Sequence, residues 1–222
     1  MQNFKPIDRF IAEVVDGWML GDLKRMVTEI KHYPDSAGNC NFPIALYTFT
    51  CIEFLGYLTS PTPIPDGQGS TFSRIWSYID SFFSETYKQQ LNPYRDRFVN
   101  IFRHGLAHEY FAKSAGVSRT HPKLLREEGG VPILDADRFY DAFRESVVGL
   151  KEAVNQDKEA IVERITTRYT AKQRGYTEVT TTTTTTSSSG ASIAPKLQDI
   201  KQTTTLPPEP WTGAKKDDDS SS

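Results

Sequence analysis

The stretch Asn92-Pro93-Tyr94-Arg95-Asp96-Arg97-Phe98-Val99-Asn100-Ile101-Phe102-Arg103-His104-Gly105-Leu106-Ala107-His108-Glu109-Tyr110-Phe111 reads as one amphipathic helix. Asn92 offers a side-chain cap, and Pro93 suits the first turn, where a missing N–H costs nothing. Phe98, Ile101, Phe102 and Leu106 recur at helical spacing and predict an inward face. A stripe this narrow is stable only against other helices, so the segment predicts a bundle around it.

The flanks agree. On the N-terminal side, Phe72, Ile75, Trp76, Ile79, Phe82, Phe83 and Tyr87 form a second stripe. Before it, residues 59–70 hold Pro61, Pro63, Pro65, Gly67 and Gly69 and predict a loop. Residues 42–58 are apolar almost all round, as expected of a helix enclosed by others. At about 17 residues, with Pro43 and Glu53 inside, the run is short and interrupted for a bilayer span. Residues 33–41, with Pro34, Asp35, Gly38 and Asn39, predict a turn. Ile7, Phe10, Ile11, Val14, Val15, Trp18 and Met19 line an opening helix, and Gly21-Asp22 suggests a break before Leu23, Met26, Val27 and Ile30 continue the pattern.

On the C-terminal side the helical period fails over 117–134. Gly129-Gly130 lies between Leu124-Leu125 and Val131 to Ile133, which predicts a small β-hairpin insertion. Asp135 or Asp137 then caps a long helix over 137–172, with Phe139, Phe143, Val147, Leu150 and Val154 inward and Ile161 and Ile165 continuing the stripe. Residues 176–222 hold a threonine run, a serine run and scattered prolines, and cannot bury enough apolar surface to offset ordering. The expected layout is an all-α helical domain over 1–175 and a disordered tail over 176–222.

Net charge is −2, which argues against a general nucleic-acid coat. Cations are locally dense, however. Arg95, Arg97, Arg103, Lys113, Arg119, Lys123 and Arg126 face only Asp96 and Glu109 between positions 94 and 126. This is either a solvated helix face or a phosphate-facing surface. Cys40 and Cys51 form neither a disulfide framework nor a zinc spacing, and Cys51 reads as a buried small hydrophobe. The opening residues lack a basic-then-apolar leader, so a cytoplasmic protein without a membrane role is expected.

The chemistry lies in residues 103–110. Cleaving RNA through its own 2′-hydroxyl needs a base, an acid and a cation on the phosphorane, but no metal. His108 suits proton transfer near neutral pH, and Arg103 can grip two phosphate oxygens. Positions five apart lie roughly 140° apart around an α-helix, so a site using both is easier to build between two copies of the chain. His104, Arg95, Arg97 and Lys113 are candidate auxiliary or phosphate-binding residues. His104 and His108, one turn apart, also have the spacing of two metal ligands, but no third ligand converges in sequence, so neither a metal nor a cofactor is expected.

Arg103-His104-Gly105-Leu106-Ala107-His108, followed by Glu109-Tyr110, resembles the HEPN superfamily, whose signature is Arg-x(4–6)-His with a polar residue after the arginine. The longer Arg-x4-His-x-Tyr form is similar to toxins of HEPN/minimal nucleotidyltransferase toxin-antitoxin pairs. The resemblance covers the motif and the helical layout over about 1–112. It implies an all-helical fold, metal-independent endoribonuclease activity in a homodimer, and silencing by a nucleotidyltransferase-type antitoxin that attaches AMP to the tyrosine, here Tyr110. Three readings remain open: this nuclease, of a toxin-antitoxin or antiviral defence system; a non-catalytic HEPN-like module binding RNA, a nucleotide or a protein; and metal-assisted hydrolysis. Trp18 and Trp76 read as core packing. Taken without the resemblance, Tyr110 reads as a helix-end packing residue before it reads as a modification site. Glu53, a lone charge in an apolar helix, is expected to pair with a buried arginine or hydroxyl and can position Arg103.

Overall fold

The buried residues of the first helix, Ile7, Phe10, Val14, Val15, Met19 and Leu23, step by three, four, one, four and four and form one inward stripe. The winding beneath that stripe is not uniform. In the computed structural model, which describes residues 6–30, 39–156 and 159–181 (174–181 as backbone only), helix α1 combines Pro6–Arg9, a π-wound stretch Phe10–Leu20 and Gly21–Glu29. Each i→i+5 turn takes up more residues than an α-turn and rotates later side chains backward. That moves Trp18 out of the core, where it is 56% exposed, contrary to the expectation that it packs inside. The break expected at Gly21 is also absent: Gly21 is helical (φ −62°, ψ −49°) and the chain runs on.

Helix α2 (Asn41–Thr59) is the centre of the bundle. Among the described residues it is the one helix long and apolar enough to cross a membrane by composition, but it packs against α1 and the helices that follow. Helix α3 (Ser70–Phe82) crosses it at Gly56, where a Cβ would lie only 1.9 Å from the carbonyl oxygen of Arg74. Only glycine permits that approach. The single helix expected over 72–87 is divided: Phe83 turns extended (ψ 145°), and α4 (Glu85–Leu91) begins after Ser84.

A 3-10 turn, Asn92–Tyr94, leads into α5. Asn92 makes no side-chain cap, and Tyr94 (φ −111°, ψ 7°) leaves the helical region. Helix α5 therefore starts at Arg95, not Pro93. It comprises Arg95–Phe98, a π-wound Val99–His104 and Gly105–Glu109. Phe98 anchors it, with ring centroids 5.1 Å from Phe49 of α2, 6.0 Å from Trp76 of α3 and 5.5 Å from Phe102. Truncating a buried aromatic of this kind costs about 3–5 kcal/mol, so this cluster fixes how the motif helix sits.

The hairpin expected within 117–134 is present as β2 (Leu125–Glu128) and β3 (Val131–Asp135), antiparallel, with Gly129 and Gly130 at φ 58° and 82° in the two-residue turn. A third strand, β1 (Gly116–Ser118), pairs in parallel with β3, giving the order β1-β3-β2. The protein is thus mostly helical, as expected, with a small sheet that adds one strand to the expected hairpin insertion. Arg119 ties the sheet to α1: its guanidinium donates to the carbonyls of Val27, Ile30 and Asn39 and pairs with Asp137 at 2.8 Å.

Asp135 caps helix α6 (Ala136–Asn155) by accepting from the Arg138 N–H at 3.0 Å. The one long helix expected over 137–172 is two, α6 and α7 (Glu159–Thr181). α7 packs against α1, α2 and α6, with Ile161 and Ile165 buried. Arg168 donates to the carbonyls of Tyr57 and Ser60, both at 2.8 Å, satisfying the C-terminal end of α2. α7 also takes in positions 176–181, where composition predicts the tail. Residues 182–222 and most of the turn expected at 33–41 lie outside the described residues. The described residues fall within one compact unit, Met1–Thr182.

Candidate functional site

The end of α5 is shaped by Gly105. The chain reverses after Glu109 through Tyr110, whose φ of 65° places it in the left-handed region. It then folds back so closely that a Cβ on Gly105 would meet the Phe111 carbonyl oxygen at 2.6 Å and the Lys113 nitrogen at 2.9 Å. The Lys113 N–H donates to the Ile101 carbonyl at 3.0 Å and closes the loop. A glycine two residues after Arg103 is therefore what lets residues 110–113 lie on the motif helix.

Arg103 turns toward α2. Its Nε donates to Oε2 of Glu53 at 3.1 Å, and Nη2 lies 2.9 Å from the same oxygen in an ion pair. The other carboxylate oxygen of Glu53 accepts from the Thr71 hydroxyl at 2.7 Å. Side-chain exposure is only 21% for Arg103 and 16% for Glu53, so the pair is partly shielded and its Coulomb attraction is screened less than on an open surface. Glu53 thus pairs with both an arginine and a hydroxyl, as its lone place in an apolar run suggested. Thr71 carried no signal in the sequence.

Arg103 and His108 do not share a direct hydrogen bond among the described residues. What the fold brings together is His104 and His108, whose rings are nearly parallel (17°) with centroids 5.8 Å apart. His104 is half-buried and His108 exposed. Burial, then the positive charges of Arg103 and His108, lower the His104 pKa below the ordinary histidine value of 6.5, and the Glu53 carboxylate offsets part of this. His104 therefore favours its neutral form, a proton acceptor.

Beside them stand Tyr110 and Phe111, exposed by 65% and 62%. Phe42, at the start of α2, meets both edge-on at 5.7 Å. Phe42 carried no motif in the sequence, and only the return of the chain over Gly105 brings it to the site.

The other candidate phosphate contacts are dispersed. Arg95 holds both oxygens of Asp80, at 2.8 and 2.6 Å, with its guanidinium 4.3 Å over the Trp76 ring. Arg97 lies over Tyr94 at 4.9 Å. Lys113 pairs with Glu109 at 3.1 Å. Arg119 is buried, and Arg126 is held by Glu128 and the Ser118 hydroxyl. The seven cations of 94–126 do not make one basic face, because the sheet and α3 draw several of them into structural pairs.

No protein-family model, curated protein or solved structure matches the chain. The HEPN resemblance rests on the pattern from Arg103 to Tyr110 and the helical layout. Among the described residues no third His, Cys, Asp or Glu joins His104 and His108 in a metal-holding group.

Proposed function

We propose that this chain is a metal-independent endoribonuclease of the HEPN type, serving a toxin-antitoxin or antiviral defence system in the cytoplasm. The observation carrying the reading is the parallel His104–His108 pair at the exposed end of α5, one residue from an arginine set in place by Glu53. In the reaction, an imidazole takes the proton of the ribose 2′-hydroxyl as its oxygen attacks phosphorus. The P–O5′ bond breaks, and a second imidazole protonates the leaving oxygen, leaving a 2′,3′-cyclic phosphate and a 5′-hydroxyl. His108 is the better-exposed base, and the His108 of a second copy supplies the acid, while His104 serves as a further polar contact to the phosphate. Arg103 stabilises the charge on the phosphorane. A homodimer that sets two α5 ends face to face gathers two of each group around one phosphate. The exposed Tyr110 hydroxyl suits modification by a nucleotidyltransferase-type antitoxin.

RNA incubated with the wild-type protein in EDTA should yield cyclic-phosphate ends, and His108→Ala or Arg103→Ala should abolish them with folding intact. Intact RNA under every condition, with both substitutions silent, rules the nuclease out. A second reading has its own observation. The Arg103 guanidinium is already occupied by Glu53, which suits a non-catalytic HEPN-like module that binds RNA, a nucleotide or a protein. That module binds RNA without turnover and tolerates His108→Asn.

A further inference from the structure

We propose that Tyr110 and Phe111 form a stacking platform for unpaired nucleobases, so that the site at the end of α5 takes single-stranded RNA; this rests on the nuclease reading and names its substrate class. These are the most exposed of the large hydrophobic side chains described. Aromatic faces left in water at a chemically loaded helix end call for a ligand that covers them. They also brace one another. Tyr110 and Phe111 stand perpendicular to each other (87°) at 5.5 Å, and Phe42 meets them at 89° and 83°. The contact of residues 111–113 with Gly105 and the Lys113–Ile101 hydrogen bond fix the backbone beneath them. A preset platform loses little entropy when a flat ligand stacks on it.

Position identifies the ligand. Tyr110 follows His108 by two residues, so their Cα atoms are no more than about 7 Å apart. A strand whose phosphate lies at His108 and Arg103 therefore carries its neighbouring base past Tyr110. The imidazoles of His104 and His108 lie on the same helix end that the rings follow, and Lys113, paired with Glu109 at the surface, comes two residues after Phe111. An aliphatic protein core would find little match there. Every base has a π-face, so stacking selects unpaired nucleotides without selecting sequence. Bases within an A-form duplex are already stacked and cannot reach the rings.

The test uses the full chain and a short mixed-sequence oligoribonucleotide, 2′-O-methylated so that it cannot be cleaved, as a single strand and annealed to its complement. Fluorescence anisotropy should show tighter binding of the single strand. Tyr110→Ala and Phe111→Ala should each weaken it on the order of 5- to 100-fold, leaving duplex binding unchanged. Tyr110→Phe and Phe111→Tyr should restore it. Phe111→Leu keeps apolar bulk without a π-face and should behave as alanine does, which guards against loss of fold. The platform is overturned if the alanine variants bind the single strand as the wild type does, if duplex is preferred, or if no oligonucleotide binds. It is likewise overturned if the alanine substitutions turn a dimer into a monomer by light scattering, since the rings then serve a protein contact. Cleavage of unmodified RNA separates the two claims. Stacking-dependent binding without cleavage removes the nuclease alone, whereas cleavage with an unchanged KM in the alanine variants removes the platform alone.

Discussion

Replacing Gly105 with alanine should destabilise the protein, against the ordinary preference of a helix. Gly105 has helical dihedrals (φ −58°, ψ −52°), and in an open helix alanine there gains about 1 kcal/mol. The new methyl, however, would sit 2.6 Å from the Phe111 carbonyl oxygen, where ordinary contact begins at 3.4 Å. The returning chain must therefore retreat by the difference, 0.8 Å, and both close atoms belong to backbone. Overpacking of this sort costs about 1–3 kcal/mol. Losing the Lys113–Ile101 hydrogen bond adds about 1 kcal/mol. The net expectation is a loss of about 1–3 kcal/mol, or a Tm lowered by about 2–4 °C per kcal/mol for a chain of this size. Gly21→Ala is the matched control: its Cβ meets nothing closer than 3.4 Å within a continuous helix, and it should raise Tm by about 2–4 °C. Thermal unfolding followed by circular dichroism reads both. If Gly105→Ala gains stability alongside Gly21→Ala, the aromatic turn does not rest on the motif helix, and the geometry assigned to Tyr110 and Phe111 fails with it.

Glu53→Ala should cost about 2–3 kcal/mol, because it strands a guanidinium that is only 21% exposed; urea unfolding should show a lower midpoint with an unchanged m-value, and an unshifted midpoint refutes the pairing. Glu53→Gln, which keeps an acceptor for Arg103, should cost less than Glu53→Ala. The lowered pKa of His104 means the native state binds fewer protons than the unfolded chain around that histidine's range. Its contribution to stability is therefore fully present above about pH 6.5 and is lost as the pH falls through the lower native value. His104→Asn should flatten the stability–pH slope in that acidic window, and an unchanged slope counts against the half-buried neutral imidazole.

The sequence by itself determined the helical character of the chain and most of its buried faces, and it singled out Arg103, His104 and His108 as the candidate groups for the proposed chemistry. Apolar side chains at helical spacing must find partners, and few residue types move protons or grip phosphate near neutral pH. The Gly129-Gly130 turn was legible for the same local reason, since two positive φ angles favour glycine. The lone acid at position 53 announced a partner, because an unpaired charge in an apolar helix is costly.

Tertiary structure alone decided the rest. The π-winding of α1 put Trp18 outside, since i→i+5 turns change the phase that a regular helix would keep. Strand β1 is three residues long, too short to show a period, and exists only because β3 lies beside it. Arg95 and Arg119 resembled free phosphate ligands until Asp80 and Asp137, distant in sequence, took them. Phe42 reaches Tyr110 only because the chain folds back over Gly105. A helical period is a short-range property that the chain displays residue by residue, whereas charge partners and ring contacts are settled by which elements pack, a long-range outcome that no local pattern records.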